Sequence, residues 1–504
     1  MYSFFDVSNY NNSSLYREEM KRSDKASGKH SVYTNRSSPS AMQHYPRVII
    51  VGAGAAGIAA ASRLVAKGIG NVTVLEAEDR IGGRIHTIRP EGDAIDLGAA
   101  RCPSNSLAHQ IVKDFGLLEA KRTGTALFHS KFGRASTQFV GTLFGRLSAL
   151  HDLDKPKDVT WHQHFHQHYQ SCVVDHFSDE PDRLLALDCM DFMKKTLAMT
   201  TGLFSLGSGG ERLAAPPTTF GMVWKRGGFR VLLDVLMRSY PNRKHSLNVE
   251  DKIRLNSKVE HISWKGEEEI RLICSNGSVF VADYVIVTAP LGALKRQHCT
   301  LFSPQLSDRK RKAIELLKAE GVLKIPLHFP KKWWDDNDFF LAWGEDDLKC
   351  VGFNRGPQKN GHCWITSLVG FQINSENSKV LHALFAGELI PEIEQIEEEV
   401  LLDGVHFVTQ RFCGDFADRP TKSERSGFFN NPHFGSSVAV ETIESVREGV
   451  TRETLGEAEL SELGKPRLLF AGEATSDVSY GNVSGAVFTG FREADRIIDL
   501  CKQL

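Results

Sequence analysis

Arg47-Val-Ile-Ile-Val51-Gly52-Ala-Gly54-Ala-Ala-Gly57 is the stretch that decides the fold of this 504-residue chain. Its first part is β-branched and free of charge, as a parallel strand buried on both faces should be. The three glycines follow at once, and an alanine-rich helix runs from them to about Lys67-Gly68. A second strand, Val72 to Leu75, ends on Glu76. Strand, GxGxxG, helix, strand and terminal acid together make a β-α-β dinucleotide unit, a far stronger signal than the glycines alone. Gly52 permits the tight turn, Gly54 admits a pyrophosphate close to the backbone, and Gly57 lets helix and strand pack. Ala55 and Ala56 begin the helix, whose free N–H groups and partial positive charge face the phosphates. Glu76 is placed to accept hydrogen bonds from the adenosine ribose hydroxyls, which disfavours a 2′-phosphate.

The rest of the chain bounds what this unit serves. The length calls for two or three domains. A formal net charge of -1 with 41% hydrophobic residues argues against nucleic-acid binding, which needs surplus clustered Lys and Arg. Nine scattered cysteines with no CxxC pair point to a reducing compartment and to neither a disulfide framework nor structural zinc. Residues 1–45 are polar and aperiodic and read as a disordered tail without a secretory signal. No apolar run reaches the length of a membrane span. Lys502-Gln503-Leu504 ends in Leu but is not the Ser-Lys-Leu peroxisomal address, so the cytoplasm is the expected compartment.

Two further motifs complete the cofactor reading. After Glu76 comes Asp79-Arg-Ile-Gly82-Gly83-Arg84, and then Ile95-Asp96-Leu-Gly98-Ala99. Near the other end, a strand from Arg467 to Ala471 leads into Gly472-Glu473-Ala474-Thr475. Gly481-Asn-Val-Ser-Gly485 then opens a helix with apolar residues at i, i+3, i+4 spacing. Between them stand Lys225-Arg-Gly227-Gly228, Lys258-Val259, a hairpin turning at Asn276-Gly277, and Asp283-Tyr-Val-Ile-Val-Thr-Ala-Pro290. Lys324-Ile-Pro-Leu-His-Phe-Pro-Lys-Lys-Trp333-Trp334 follows. On these motifs the chain resembles the flavin-containing amine oxidase family, and most of all the animal spermine and acetylpolyamine oxidases. The resemblance covers about residues 47–101 and 220–496, weakly in between.

The resemblance implies an FAD-binding Rossmann-like α/β domain with an inserted α+β substrate domain. The FAD-binding parts are expected at residues 46–103, 220–300 and 460–504. The substrate parts are expected at 104–219, the helical part, and at 301–459. It implies non-covalent FAD, since no cysteine falls between Ala474 and Tyr480. Arg84 would reach the pyrophosphate, Val259 would meet the adenine, and Glu473, Val483, Gly98, Ala99 and Arg101 would line the cofactor. Lys324 would be the catalytic residue, holding a water against flavin N5. The reaction implied is hydride transfer from a small-molecule amine, imine hydrolysis and reduction of O2 to H2O2, with polyamines the foremost substrates.

Departures from the pattern leave alternatives open. Gly98-Ala99-Ala100-Arg101-Cys102-Pro103 replaces the polyamine oxidases' usual motif and resembles L-amino-acid oxidases, in which the arginine grips a carboxylate. Ser437 and Asn482 stand where aromatic residues often sandwich the flavin, and Phe428 or Phe429 stands for a usual Trp. An L-amino-acid oxidase anchored by Arg101, and a flavoprotein with little turnover, are the two other readings. Trp161-His-Gln-His-Phe-His-Gln-His168 places His162/His166 and His164/His168 at i, i+4 on a helix, but no further ligand accompanies them and no metal is expected. The acidic run Glu394 to Glu399 reads as a solvated helix face.

Overall fold

The computed structural model describes residues 45–120, 127–131, 133–151, 153, 159, 161–201, 222–266, 269–344, 347–349, 352–477, 479 and 481–502. The tail up to residue 44, the linker Ala214 to Thr219 and the final two residues lie outside the described residues.

The quoted strand, Val48–Val51, sits in the middle of a six-stranded sheet. In order, that sheet is Glu459–Leu460, Pro466–Phe470, Tyr284–Val287, Val48–Val51, Val72–Leu75 and Ile253–Arg254. Only the first pair is antiparallel. Val48 pairs with Tyr284 on one side and Val72 on the other, so the strand has no free edge and tolerates no charge. The helix Ala55–Ala66 packs against the C-terminal helix Val483–Lys502. Gly490 makes that approach feasible, because a Cβ there would come within 2.2 Å of the Ala56 carbonyl oxygen. The two ends of the chain therefore close one domain.

A second sheet, Val279–Ala282, Ile270–Cys274, Val259–Ser263 and Phe302–Ser303, adjoins it. Its hairpin turns at Asn276-Gly277 with Gly277 at φ +80, the left-handed conformation that glycine adopts without strain. Leu306, Ala313, Ile314, Val450 and Leu455 are buried in the same core as Ile262, Leu272 and Val285. Hydrophobic burial thus draws residues 301–317 and 439–455 towards the FAD-binding core, although the sequence motifs put them in the substrate part. We draw the seam at the strand pair Lys318–Glu320 and Val438–Val440.

The remaining unit is built on seven strands: Lys422–Ser423, Val322–His328, Val380–Ala386, Leu368–Ile373, Phe339–Leu341, Leu127–Ser130 and Gly133–Arg134. One face buries Leu323, Ile325, Leu327, Leu381, Ala383 and Phe385 in a core shared with the helix Glu398–Cys413. The helices Thr137–His151, Trp161–Cys172 and Glu180–Thr201 contribute to a core with Phe128, Phe340 and Leu384. The acidic run is not one solvated helix face. Glu394 is buried at the end of the helix Ile390–Glu394 and accepts the Phe429 and Asn430 N–H groups. Glu398 and Glu399 open the helix Glu398–Cys413, where acids suit the positive end of the dipole. The histidine run does form a helix; His164 is buried and its ring lies 4.8 Å from that of His168. Among the described residues no group of three or more His, Cys, Asp or Glu is placed to hold a metal ion. None of the described helices is long and apolar enough to cross a membrane.

Candidate active site

Backbone geometry builds the phosphate cradle. Gly52 has φ +107, and a Cβ on it would fall 2.4 Å from the Thr288 hydroxyl, which donates to Val51 O at 2.8 Å. Gly57 is tighter still: its Cβ would sit 1.9 Å from the Gly52 carbonyl oxygen. Gly54, by contrast, has nothing within 4 Å of where a Cβ would be, which leaves open space at the turn. Ala55 and Ala56 follow as the buried first residues of the helix. Glu76 is buried, and its two carboxylate oxygens accept the Ala53 N–H at 2.6 Å and the Glu78 N–H at 2.9 Å. Burial pushes its carboxyl above the usual range, against the pull of those two bonds. Each oxygen keeps a lone pair for a ribose hydroxyl. Val259 is buried at the start of its strand.

Arg84 and Glu473 join the two halves of the motif set. Arg84 Nη1 donates to Glu473 Oε1 at 2.9 Å and to Ser437 O at 2.6 Å. Glu473 Oε2 accepts from Gly481 N at 3.2 Å and from Ala439 N at 3.4 Å. One buried carboxylate thus ties the arginine of the first motif to the loop before the last helix. Val483 begins that helix. Asn482, read from sequence as a lost aromatic, does a different job. Its Oδ1 accepts the N–H groups of Ser484 at 2.8 Å and Gly485 at 3.2 Å and so caps the helix. Ser437 is likewise occupied, its hydroxyl accepting Val322 N–H at 3.1 Å.

Lys324 reaches across from the seven-stranded sheet. Its Nζ donates to Gly98 O at 2.6 Å, within the segment Gly98-Ala99 that ends the first cofactor motif. Alternation along Val322–His328 sends Leu323 and Ile325 into the apolar core and Lys324 to the other face. Burial is the main cause that pulls its ammonium down to about 8; Asp96 opposes this and Arg101 adds to it. Asp96 is buried and accepts the Phe229 N–H at 3.1 Å. Phe428 rather than Phe429 covers this segment: its ring edge lies 3.2 Å from where a Gly98 Cβ would be.

Arg101 is buried and committed. Its Nη2 donates to both oxygens of Asp338, at 3.1 and 3.2 Å, and to Ile373 O at 3.3 Å. Asp338 is itself buried, so the pair survives only by mutual compensation. Asp338 thus engages one nitrogen of the guanidinium that the sequence suggested for a substrate carboxylate.

The site residues fit FAD. The turn is open at Gly54, an ionisable acid stands at the ribose position, and an arginine lies between the two cofactor motifs. Residues 55–498 match the family model for flavin-containing amine oxidoreductases. The chain belongs to that family. It is an FAD-dependent amine oxidase, acting on a small-molecule amine and O2. Human peroxisomal N(1)-acetyl-spermine/spermidine oxidase is 25% identical over 510 residues, covering 90% of this chain and 95% of that protein. Rice polyamine oxidase 3 is 26% identical over 500 residues, with 92% of each covered. Among solved structures, a single-substitution variant of putrescine oxidase, redesigned for cofactor binding, superposes with a TM-score of 0.65 at 17% identity, over 90% of this chain and 99% of that one. That likeness supports the fold of this amine oxidase.

Three residues near the site escaped the sequence reading: Asp338, Gln372 and His382. The signal was there for two of them. His382 interrupts the apolar run Val380–Ala386, and Gln372 interrupts Leu368–Ile373, both in central strands where a polar side chain is costly.

Proposed function

We propose that this amine oxidase acts on polyamines, such as spermine or an N1-acetylpolyamine, with Lys324 as its catalytic residue and H2O2 as a product. One observation carries the reading: a half-buried lysine from the substrate sheet meets Gly98, inside the cofactor motif, and no other strand brings an ammonium there among the described hydrogen bonds. FAD, when bound, supplies the two-electron oxidation and returns the electrons to O2. We place it there non-covalently. The protein's part is charge and position. Lys324 Nζ uses one hydrogen on Gly98 O and, when protonated, keeps two more for a water or the substrate nitrogen. Its positive charge favours the neutral form of an incoming amine over the ammonium. Asp96 keeps that charge compensated from the cofactor side. Arg101 has its charge compensated within the protein by Asp338, which favours an amine over an amino acid.

Anaerobic bleaching of the flavin tests this on the purified holoprotein, with spermine, acetylspermine and L-amino acids added separately. Bleaching by a polyamine alone is the expected outcome. Bleaching by amino acids alone would overturn it and return Arg101 to the role of carboxylate anchor.

A further inference from the structure

One loop, residues 427–435, is gripped by both units along the edge of the cofactor motifs. From the substrate unit, buried Glu394 accepts the Phe429 N–H at 3.0 Å and the Asn430 N–H at 2.9 Å. The loop also closes on itself: Asn431 N donates to Gly427 O at 2.9 Å, and Gly435 N to Phe428 O at 3.0 Å. Gly427 and Gly435 take φ +69 and +74 at its two ends, left-handed values that glycine adopts without strain.

Its contacts with the cofactor unit run along that unit's motifs. The edge of the Phe434 ring lies 3.9 Å from where a Gly83 Cβ would be, and the Arg80 guanidinium stands 6.0 Å from the ring centre. Gly292 gives the loop its seat, since a Cβ there would fall 2.3 Å from Phe434 O. At the tip, His433 Nδ1 meets Glu78 Oε1 at 2.6 Å, and Asn431 Nδ2 donates to the same oxygen at 3.2 Å. Glu78 stands two residues beyond the ribose acid and donates its own N–H to the Glu76 carboxylate.

Charge fixes the hydrogens at this tip. Burial alone would raise the Glu78 carboxyl, but the bonds from His433 and Asn431 hold it below the usual range, so it is a carboxylate and only accepts. His433 Nδ1 therefore carries a hydrogen whether or not the ring is charged. Asn431 Oδ1 accepts the His433 N–H at 2.8 Å, which sets the turn that aims the ring. The cradle itself does not need this bond, because its glycines and Glu76 are fixed by their own contacts.

We propose that His433 is a positioning residue for the cofactor: through Glu78 it fastens the loop across the seam beside the ribose acid and slows the release of FAD. While the bond is made, the two units cannot part at that end of the cofactor motifs. The proposal rests on the non-covalent attachment of FAD.

The test follows protein-bound flavin, by its visible absorbance, through timed dilution and ultrafiltration of the purified holoprotein. His433→Leu is expected to speed FAD release about five- to tenfold, the worth of one charge-assisted hydrogen bond at a partly exposed site. His433→Asn keeps an N–H where Nδ1 stands and should recover part of that loss. Once Glu78→Ala has removed the acceptor, adding His433→Leu should change nothing further. Equal acceleration by His433→Leu in both backgrounds would make the ring a packing element and overturn the proposal. If denaturation frees the FAD but every variant releases it at the native rate, the latch alone fails. FAD that stays with the chain through denaturation is covalently held, and both readings fail.

Discussion

The phosphate cradle and the Lys324 face are built on opposite principles. In the cradle the backbone sets the geometry: Gly52, Gly54 and Gly57 lie within a few residues of one another, and each is specified by what a Cβ would strike or leave open. On the Lys324 face side chains set it, and they come from segments far apart in sequence: Asp96 and Arg101 from one unit, Lys324, Asp338, Gln372 and His382 from the other. The first region is local and rigidly patterned. The second exists only because two domains close on each other, and its buried charges must be balanced across the seam.

The comparison breaks most severely at the seam. Asp338→Ala should strand the buried Arg101 charge and cost about 3–5 kcal/mol in urea unfolding, whereas replacing both partners by apolar residues should recover most of that loss. If the single and double variants were equally unstable, the pair would not be what holds the Lys324 face to the cofactor domain.

Lys324→Met should slow amine-driven flavin bleaching by about 10²-fold, the scale of losing one placed charge or donor, with FAD still bound. The same variant carries a pH signature. Lys324 is pulled down from its ordinary value to about 8, so below pH 8 the folded state bears the full cost of a desolvated ammonium. Above that the unfolded chain binds more protons than the folded one, and stability from this group rises with pH until the unfolded lysine titrates near 10.5. Melting temperatures of wild type and Lys324→Met should therefore diverge most near neutral pH, the variant being the more stable, and converge towards pH 10. Divergence in the opposite sense would show the ammonium to be well solvated.

In the cradle, Gly57→Ala should cost about 1–3 kcal/mol through the clash with Gly52 O and should yield protein poor in flavin, read from the ratio of visible to ultraviolet absorbance. Gly54→Ala, with open space around it, should fold normally and lose FAD alone. The smallest effect is expected at Asn482→Ala, about 1 kcal/mol in thermal unfolding, for the loss of a helix cap. A much larger loss of activity than of stability there would revive an aromatic-sandwich position at this residue.

What the sequence by itself determined is the part set by short-range sterics and periodicity. The strand from Val48, the glycine spacing, Glu76, the C-terminal helix and the hairpin at Gly277 were all legible, because a turn, a helix or a buried strand restricts residue types within a few positions. The family followed from the same local motifs at both ends of the chain. Only the tertiary structure decided that residues 301–317 and 439–455 share a core with the cofactor sheet, since an apolar stripe does not say which partner covers it. It alone showed that Arg101 pairs with Asp338 and that Gln372 and His382 face the same way as Lys324. Those facts depend on register and domain closure, which bring together side chains tens to hundreds of residues apart, and no local pattern encodes such a distance.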